Sequence, residues 1–252
     1  MIEIAGVSLA LGGSRILDNV SLTVPKGGVT ALVGPNGAGK SSLLSLIARL
    51  RPLQSGRITV DGLQVDTTPS RQLAKIMAIL RQDPGVASRL RVVELVGFGR
   101  FPHHRGRLTA KDHEIIAASL EQFDLSDLAP RFIDTLSGGQ RQRALVAMTF
   151  CQGTDYILLD EPVNNLDMFH ARNLMRTLRR IADDHGKTVL IVLHDINHAA
   201  SYADRIVAMK DGAVVASGQT ADVIRPDILE SIFGFSMRVE HIDGRLTVLH
   251  HG

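Results

Sequence analysis

The 252-residue sequence predicts an α/β fold in two parts, a strand-and-helix core that opens on a small antiparallel β element, and a helical subdomain inserted into that core. Three observations predict it. Strand-like runs alternate with helices over 1–84 and again over 155–220. The intervening 85–154 holds helical patterns at 92–98, 111–123 and 138–151 and no convincing strand. A glycine-rich turn, GPNGAGKSS at 34–42, stands between an apolar strand and an apolar helical run.

At the amino end, Ile2–Leu11, Ile16–Val24 and Gly56–Val60 are β-rich runs separated by turn signals at Gly12–Gly13, Pro25–Gly28 and Asp61–Gly62. Such a sheet edge is placed to cover the base side of a nucleotide. The next strand, Gly28–Val33, feeds the glycine-rich turn, and a helix starting near Lys40 follows it through the apolar run Leu43–Leu50.

A turn of this composition is a triphosphate cradle. Gly34, Pro35, Asn36, Gly37, Ala38 and Gly39 let phosphates approach backbone N–H groups closely, and the unpaired N–H groups and positive dipole at the helix start hold the β-phosphate. Lys40 is expected to reach the β- and γ-phosphates, Ser41 to ligate Mg²⁺, and Ser42 to meet the α-phosphate of ATP or GTP. Further on, Gln82 ends the apolar stretch Ile76–Leu80, where its amide is placed to reach Mg²⁺ or the attacking water.

LSGGQRQRA at 136–144 opens the helix that runs to about Cys151, with Ser137 at its start and Gly138, Gly139 and Gln140 behind it. A helix start of this kind is a second anion site. One triphosphate has no use for two in one chain, so the segment is expected to cap the γ-phosphate held by another copy, which implies a homodimer.

YILLDEP at 156–162 reads as a central strand whose C-terminal end carries Asp160 and Glu161. Asp160 is assigned to magnesium through its water shell and Glu161 to polarising the attacking water, while Pro162 ends the strand. His194 closes the apolar run Val189–Leu193 and is expected at the γ-phosphate or the water, orienting them rather than serving as the main base. Ile206–Met209 and Ala213–Ala216 read as a hairpin, two helices follow near 219–225 and 226–233, and 237–249 alternates as a final strand pair.

Composition excludes several classes. A 44% apolar content suffices for a core, and 28 basic against 26 acidic residues leave +2, so no global charge points to a nucleic-acid partner. The local run RFPHHRGR at 100–107 lacks a stacking platform and suits a solvated face or a membrane-subunit contact. Cys151, the single cysteine, is expected in the core, with neither a disulfide framework nor a zinc cluster. No apolar run of eighteen residues and no secretory leader pattern is found, so the chain is expected to stay on the cytoplasmic side.

The combination resembles the ATP-binding subunits of ABC transporters over nearly the whole chain. The resemblance matches the phosphate loop to 34–42, the switch glutamine to Gln82, the signature to 136–140, the magnesium aspartate and catalytic glutamate to Asp160 and Glu161, the D-loop to Asn164–Asp167 and the switch histidine to His194. It implies a P-loop NTPase with a recombinase-like core and a head-to-tail dimer closing on ATP and Mg²⁺. It also implies membrane permease partners and a periplasmic or lipoprotein substrate-binding protein in the same system. The segments 91–112 and 147–167 look like importers of ferric siderophores, with haem and cobalamin importers as close relatives. The surface at roughly 84–102 is expected to face the permease, with Val92, Leu95 or Phe101 in contact.

Two positions depart from the family pattern. An aromatic residue usually stacks on adenine ahead of the LDNVSL segment, and Leu11 stands there, giving aliphatic contact helped by Arg15 above the base. Asn164 replaces the small residues frequent in the D-loop. The rival class is a soluble ATP-driven switch of the same superfamily, acting on nucleic acid or ribosomes. It normally carries a long coiled-coil insertion or two nucleotide domains, and the sequence has neither. A small-molecule kinase shares the phosphate loop but has no use for the signature helix.

Overall fold

The computed structural model describes residues 1–82, 89–104, 106–164 and 166–250. They form two compact units, Met1–Thr68 joined by the chain from Thr188 onward, and Pro69–Lys187. In chain order the first unit begins with β1 (Ile2–Leu11), β2 (Ser14–Val24), β3 (Gly28–Val33), α1 (Lys40–Ile47), β4 (Arg57–Val60) and β5 (Leu63–Gln64). The second holds α2 (Ser70–Ile76), β6 (Met77–Leu80), α3 (Val92–Phe98), α4 (Ala110–Gln122), α5 (Gly138–Cys151), β7 (Tyr156–Asp160) and α6 (Met168–His185). The chain then returns to the first with β8 (Thr188–Val192), α7 (Ile196–Tyr202), β9 (Arg205–Lys210), β10 (Ala213–Gln219), α8 (Thr220–Val223), α9 (Pro226–Phe233), β11 (Arg238–Ile242) and β12 (Arg245–Leu249).

In the first unit the amino-terminal runs form an antiparallel sheet in the order β2-β1-β4-β5. Ile2, Ile4, Val7 and Leu9 turn inward from β1, and shifts in its register with β2 after Ile4 mark a bulge where strict alternation breaks. Strand β3 lies between β8 and β9, parallel to both, with β10 antiparallel on the outside of β9. Val29, Ala31, Leu32 and Val33 are buried, as a strand covered on both faces requires. The Asp18 N–H donates to Gly212 O at 2.9 Å, which hangs the antiparallel sheet on the β9–β10 turn. A lone two-stranded hairpin is marginal in water, so β11–β12 needs support. Asn197 of α7 supplies it, donating from Nδ2 to Val248 O at 3.0 Å and accepting from Val248 N at 2.7 Å.

In the second unit β6 and β7 are parallel neighbours, with Met77 opposite Tyr156 and Leu80 opposite Leu159. The helices α3, α4 and α5 pack through Leu95, Ile116, Leu120 and Leu145, and a polar clamp ties their ends together. Arg100 Nε donates to Asp112 Oδ1 at 3.0 Å and its Nη1 donates to Cys151 O at 3.0 Å. The Thr109 hydroxyl and N–H, followed by the Arg100 guanidinium, hold the Asp112 carboxyl well below the usual carboxylate range. Beside them His103 Nε2 lies 2.7 Å from Gln152 O, and desolvation lowers the pKa of its ring. Gln152 Nε2 donates in turn to Ala74 O at 2.6 Å and Met77 O at 3.1 Å, so the helices are fastened to β6 within one unit.

Two expectations about the helical surface need correction. Val92 and Leu95 are 0% and 1% exposed, because they face inward from α3 onto α4 and α5. The apolar residues that do face outward are Phe98 and Phe101, 53% and 68% exposed. Pro84 and the residues up to Ser88 lie outside the described residues.

Candidate functional site

The glycine-rich turn takes its shape from close approaches. A Cβ on Gly34, at φ 139°, would sit 2.0 Å from Met209 O, and one on Gly39, at φ 94°, would sit 2.8 Å from Ile16 O and 2.6 Å from a Leu17 methyl. Neither position tolerates a side chain. Pro35 O accepts from Ala38 N at 3.2 Å, closing a turn over Asn36 and Gly37, and Gly39 caps α1 in the left-handed conformation. Helix α1 begins at Lys40, so its first N–H groups belong to Lys40, Ser41 and Ser42 and open onto the turn. Lys40 is buried, and its Nζ donates to Gly34 O and Pro35 O at 2.8 Å each, holding the ammonium across the loop.

His194 belongs to the same unit. Its predecessor Leu193 donates from N to Leu32 O at 3.1 Å, which sets His194 just past the end of β8 at the edge where β3 enters the turn. The imidazole position is exposed, and Asp195 caps α7 by accepting from Asn197 N at 2.8 Å. At the β1–β2 turn Leu11 pairs with Ser14 and Ala10 with Arg15, so Leu11 and Arg15 point to opposite faces of the strand pair, and the expectation that both cover one face of a base does not hold. Arg15 Nη1 reaches Asp18 Oδ2 at 2.9 Å.

The acidic pair lies in the second unit. Asp160 and Glu161 are each 8% exposed at the end of β7. The parallel register that puts Leu80 opposite Leu159 carries Gln82 to the level of Glu161, and Gln82 Nε2 donates to Glu161 Oε2 at 2.7 Å. Glu161 has φ 53°, a left-handed conformation that costs a non-glycine residue about 1–2 kcal/mol and that re-aims its side chain at the strand end. Asn164 Nδ2 donates to the same Oε2. Sequence reading placed Gln82, Glu161 and Asn164 separately and missed that they converge, since nothing in one string states that β6 neighbours β7. Asn165 lies outside the described residues.

The signature segment caps α5 reciprocally. Gln140 N donates to Ser137 Oγ at 3.3 Å and Ser137 N donates to Gln140 Oε1 at 3.0 Å, a capping box whose S-x-x-Q spacing was available in the sequence. Ser137 and Gly138 are exposed. A Cβ on Gly139 would meet the His170 ring at 3.3 Å, so α5 and α6 start side by side. Asp167 caps α6 by accepting from His170 N at 2.8 Å, and it also touches His170 Nδ1 at 2.8 Å. The His170 backbone N–H, then its ring, lowers the pKa of the Asp167 carboxyl. His170 was not singled out by the sequence. Its signal was its place three residues beyond the capping aspartate.

The donors expected for a divalent cation, the Ser41 hydroxyl of the first unit and the Gln82 amide oxygen and Asp160 carboxylate of the second, are all hard. Among the described residues no cluster of three His, Cys, Asp or Glu forms a protein cage. A hard donor set with a single carboxylate suits Mg²⁺, which keeps waters and takes phosphate oxygens alongside one or two carboxylates.

Within the second unit a cavity of about 500 Å³ opens beside Phe98 and Phe101, lined also by Val93, Gly97, Leu108 and Ile116. No helix among the described residues is long and apolar enough to cross a membrane.

Comparison with known proteins agrees with these features. Residues 17–164 match the family described as ABC transporter. The chain is 45% identical over 245 residues to the petrobactin import ATP-binding protein YclP of Bacillus subtilis, covering 97% of each. It is 47% identical over 244 residues to the petrobactin import ATP-binding protein FatE of Bacillus anthracis, again covering 97% of each. Among solved structures, it superposes with a TM-score of 0.78 and 27% identity on a dimeric ATP-binding cassette in a post-hydrolysis state bound to ADP and Pi, over 87% of this chain and 99% of that one.

Proposed function

This chain belongs to the ABC transporter family and is an ATPase of it, and on that premise we propose that its ATP hydrolysis powers uptake of a ferric siderophore through separate membrane permease subunits. The observation that carries the reading is likeness along the whole chain to two petrobactin import ATPases, which extends well past the motifs common to every such cassette. In functional terms, residues 1–84 and 155–252 are the nucleotide-binding core and 85–154 the helical subdomain.

The roles follow from the two half-sites. The amides of Gly34–Ser42 and the Lys40 ammonium hold the phosphates of ATP, and Leu11 covers the adenine. Ser41, Asp160 and Gln82 are the residues that would hold Mg²⁺, which would offset the negative charge that develops on phosphoryl transfer. Glu161 polarises the attacking water, and His194 orients that water or the γ-phosphate. Ser137, Gly138, Gly139 and Gln140 of a second copy cap the γ-phosphate, with Asp167 beside them, in a homodimer or a pair with a paralogue.

The protein sits peripherally at the cytoplasmic face of the membrane. The groove at Phe98 and Phe101 receives the permease, and a periplasmic or lipoprotein binding protein delivers the cargo. In cells that depend on a siderophore for iron, Glu161→Gln is expected to abolish ferric siderophore uptake, measured with radiolabelled iron. Intact uptake with loss of haem or cobalamin import would move the cargo to that neighbouring class.

A further inference from the structure

We propose that Asn164 is a positioning residue for hydrolysis, because its side-chain amide grips the same Glu161 oxygen as Gln82 and so fixes the carboxylate that polarises water. The inference rests on the reading of Glu161 as that carboxylate. The last torsion of a glutamate is broad and roughly two-fold, so a carboxylate at a strand end does not choose its own plane. Here two amide donors meet on one atom. Gln82 comes from the neighbouring strand, 79 positions earlier, and Asn164 from three positions later.

The backbone delivers Asn164 to that place. Glu161 adopts φ 53°, and the turn behind it is closed by Asn164 N donating to Glu161 O at 3.2 Å, which folds the side chain of Asn164 back over Glu161. Leu166 N donates to Val163 O at 3.2 Å and holds the turn's far side. Both residues are shielded, Glu161 buried and Asn164 half-buried, so the charge-assisted bonds are little weakened by water. An amide facing a carboxylate through its NH₂ donates in one geometry, whereas a hydroxyl rotates. A side chain of aspartate has the same shape, donates nothing and sets like charges together.

The test uses the full chain and reads kcat and KM for ATP separately, with thermal unfolding in parallel. Asn164→Ala is expected to lower kcat about tenfold, the worth of one hydrogen bond to a charged group. Asn164→Asp, which adds repulsion, is expected to lower it about a hundredfold, with KM for ATP within about twofold of the natural chain in both. Asn164→Ser, a shorter donor, should fall between the natural chain and Asn164→Ala, and it serves as the readout if Asn164→Asp does not fold. Turnover within twofold of natural in the alanine and serine variants, equal losses in the alanine and aspartate variants, or KM moving together with kcat would each overturn the proposal. Glu161→Gln is assayed alongside. Near-natural turnover there removes the assignment of Glu161 itself, while a strongly slowed Glu161→Gln beside natural-like Asn164 variants removes only the role of Asn164.

Discussion

The phosphate loop of the first unit is built from one stretch, Gly34–Ser42, whereas the acidic strand end of the second unit takes its interacting side chains from positions 79 apart. The loop presents mainly backbone N–H groups, and side chains are excluded at Gly34 by Met209 O and at Gly39 by Ile16 O and a Leu17 methyl. The strand end works with side chains whose meeting depends on a parallel register. Local sequence dictates the first kind of site and tertiary pairing the second. The two halves should therefore fail differently.

The largest expected difference is between Glu161→Gln and Lys40→Ala. Losing a positioned general base costs a factor of about 10²–10⁴, so Glu161→Gln should hydrolyse ATP slowly while binding it normally and accumulating the closed dimer. Lys40→Ala should instead lose nucleotide binding, measured by titration with a fluorescent ATP analogue. If both variants bound ATP equally well, the division of labour between the halves would be wrong.

A smaller effect tests how far the second unit depends on long-range polar bonds. Asp112→Asn leaves the Arg100 guanidinium without its carboxylate partner at a buried site, and should cost about 3 kcal/mol of stability. The folded Asp112 carboxyl is held below its ordinary range, so its stabilisation is present above an unfolded pKa of about 3.9 and is lost as pH falls through the folded value. Unfolding curves of the natural chain and Asp112→Asn should differ at neutral pH and converge as pH drops below about 4. Curves that stay parallel down to low pH would show that the clamp does not depend on the charge.

Phe101→Ala removes an exposed side chain from the groove without touching either half of the chemistry. Stimulation of hydrolysis by reconstituted permease should fall about tenfold, the scale of a contact worth more than 1 kcal/mol, while basal turnover holds. Equal loss of both would place Phe101 in the fold instead of the interface. The smallest effect is expected of Leu11→Tyr. Aromatic stacking adds about 0.5–1.5 kcal/mol, so ATP should bind up to about tenfold tighter and GTP should compete less well than in the natural chain. Unchanged base preference would mean that another residue covers the adenine.

Much of the architecture is legible because periodicity and punctuation agree. The helical patterns at 92–98, 111–123 and 138–151 correspond to α3, α4 and α5 within one residue at each end, and the terminal hairpin falls within 237–249 as expected. Burial on a short helix is less legible. VVELVGF presents apolar residues all around, so sequence does not say that Val92 and Leu95 face inward and Phe98 outward. The candidate site divides in the same way. The phosphate loop and the capped signature helix are local patterns, but the bond between Gln82 and Glu161 needs the knowledge that β6 pairs with β7. The left-handed backbone at Glu161 was equally invisible, since residues preceding proline are ordinarily extended.

Cys151 is the single cysteine in these 252 residues, it is fully buried in α5, and burial pushes its thiol pKa up. A thiol kept protonated and inaccessible reacts slowly with maleimides. The natural sequence is therefore a background on which a cysteine introduced at an exposed position such as Phe101 or Met168 takes a spin label or dye selectively, with no need first to mutate the core. Tryptophan is absent as well, so one introduced indole is the only one that emits. Distances between two copies during a turnover cycle can thus be followed by site-directed spectroscopy in a chain that differs from the natural one at a single residue.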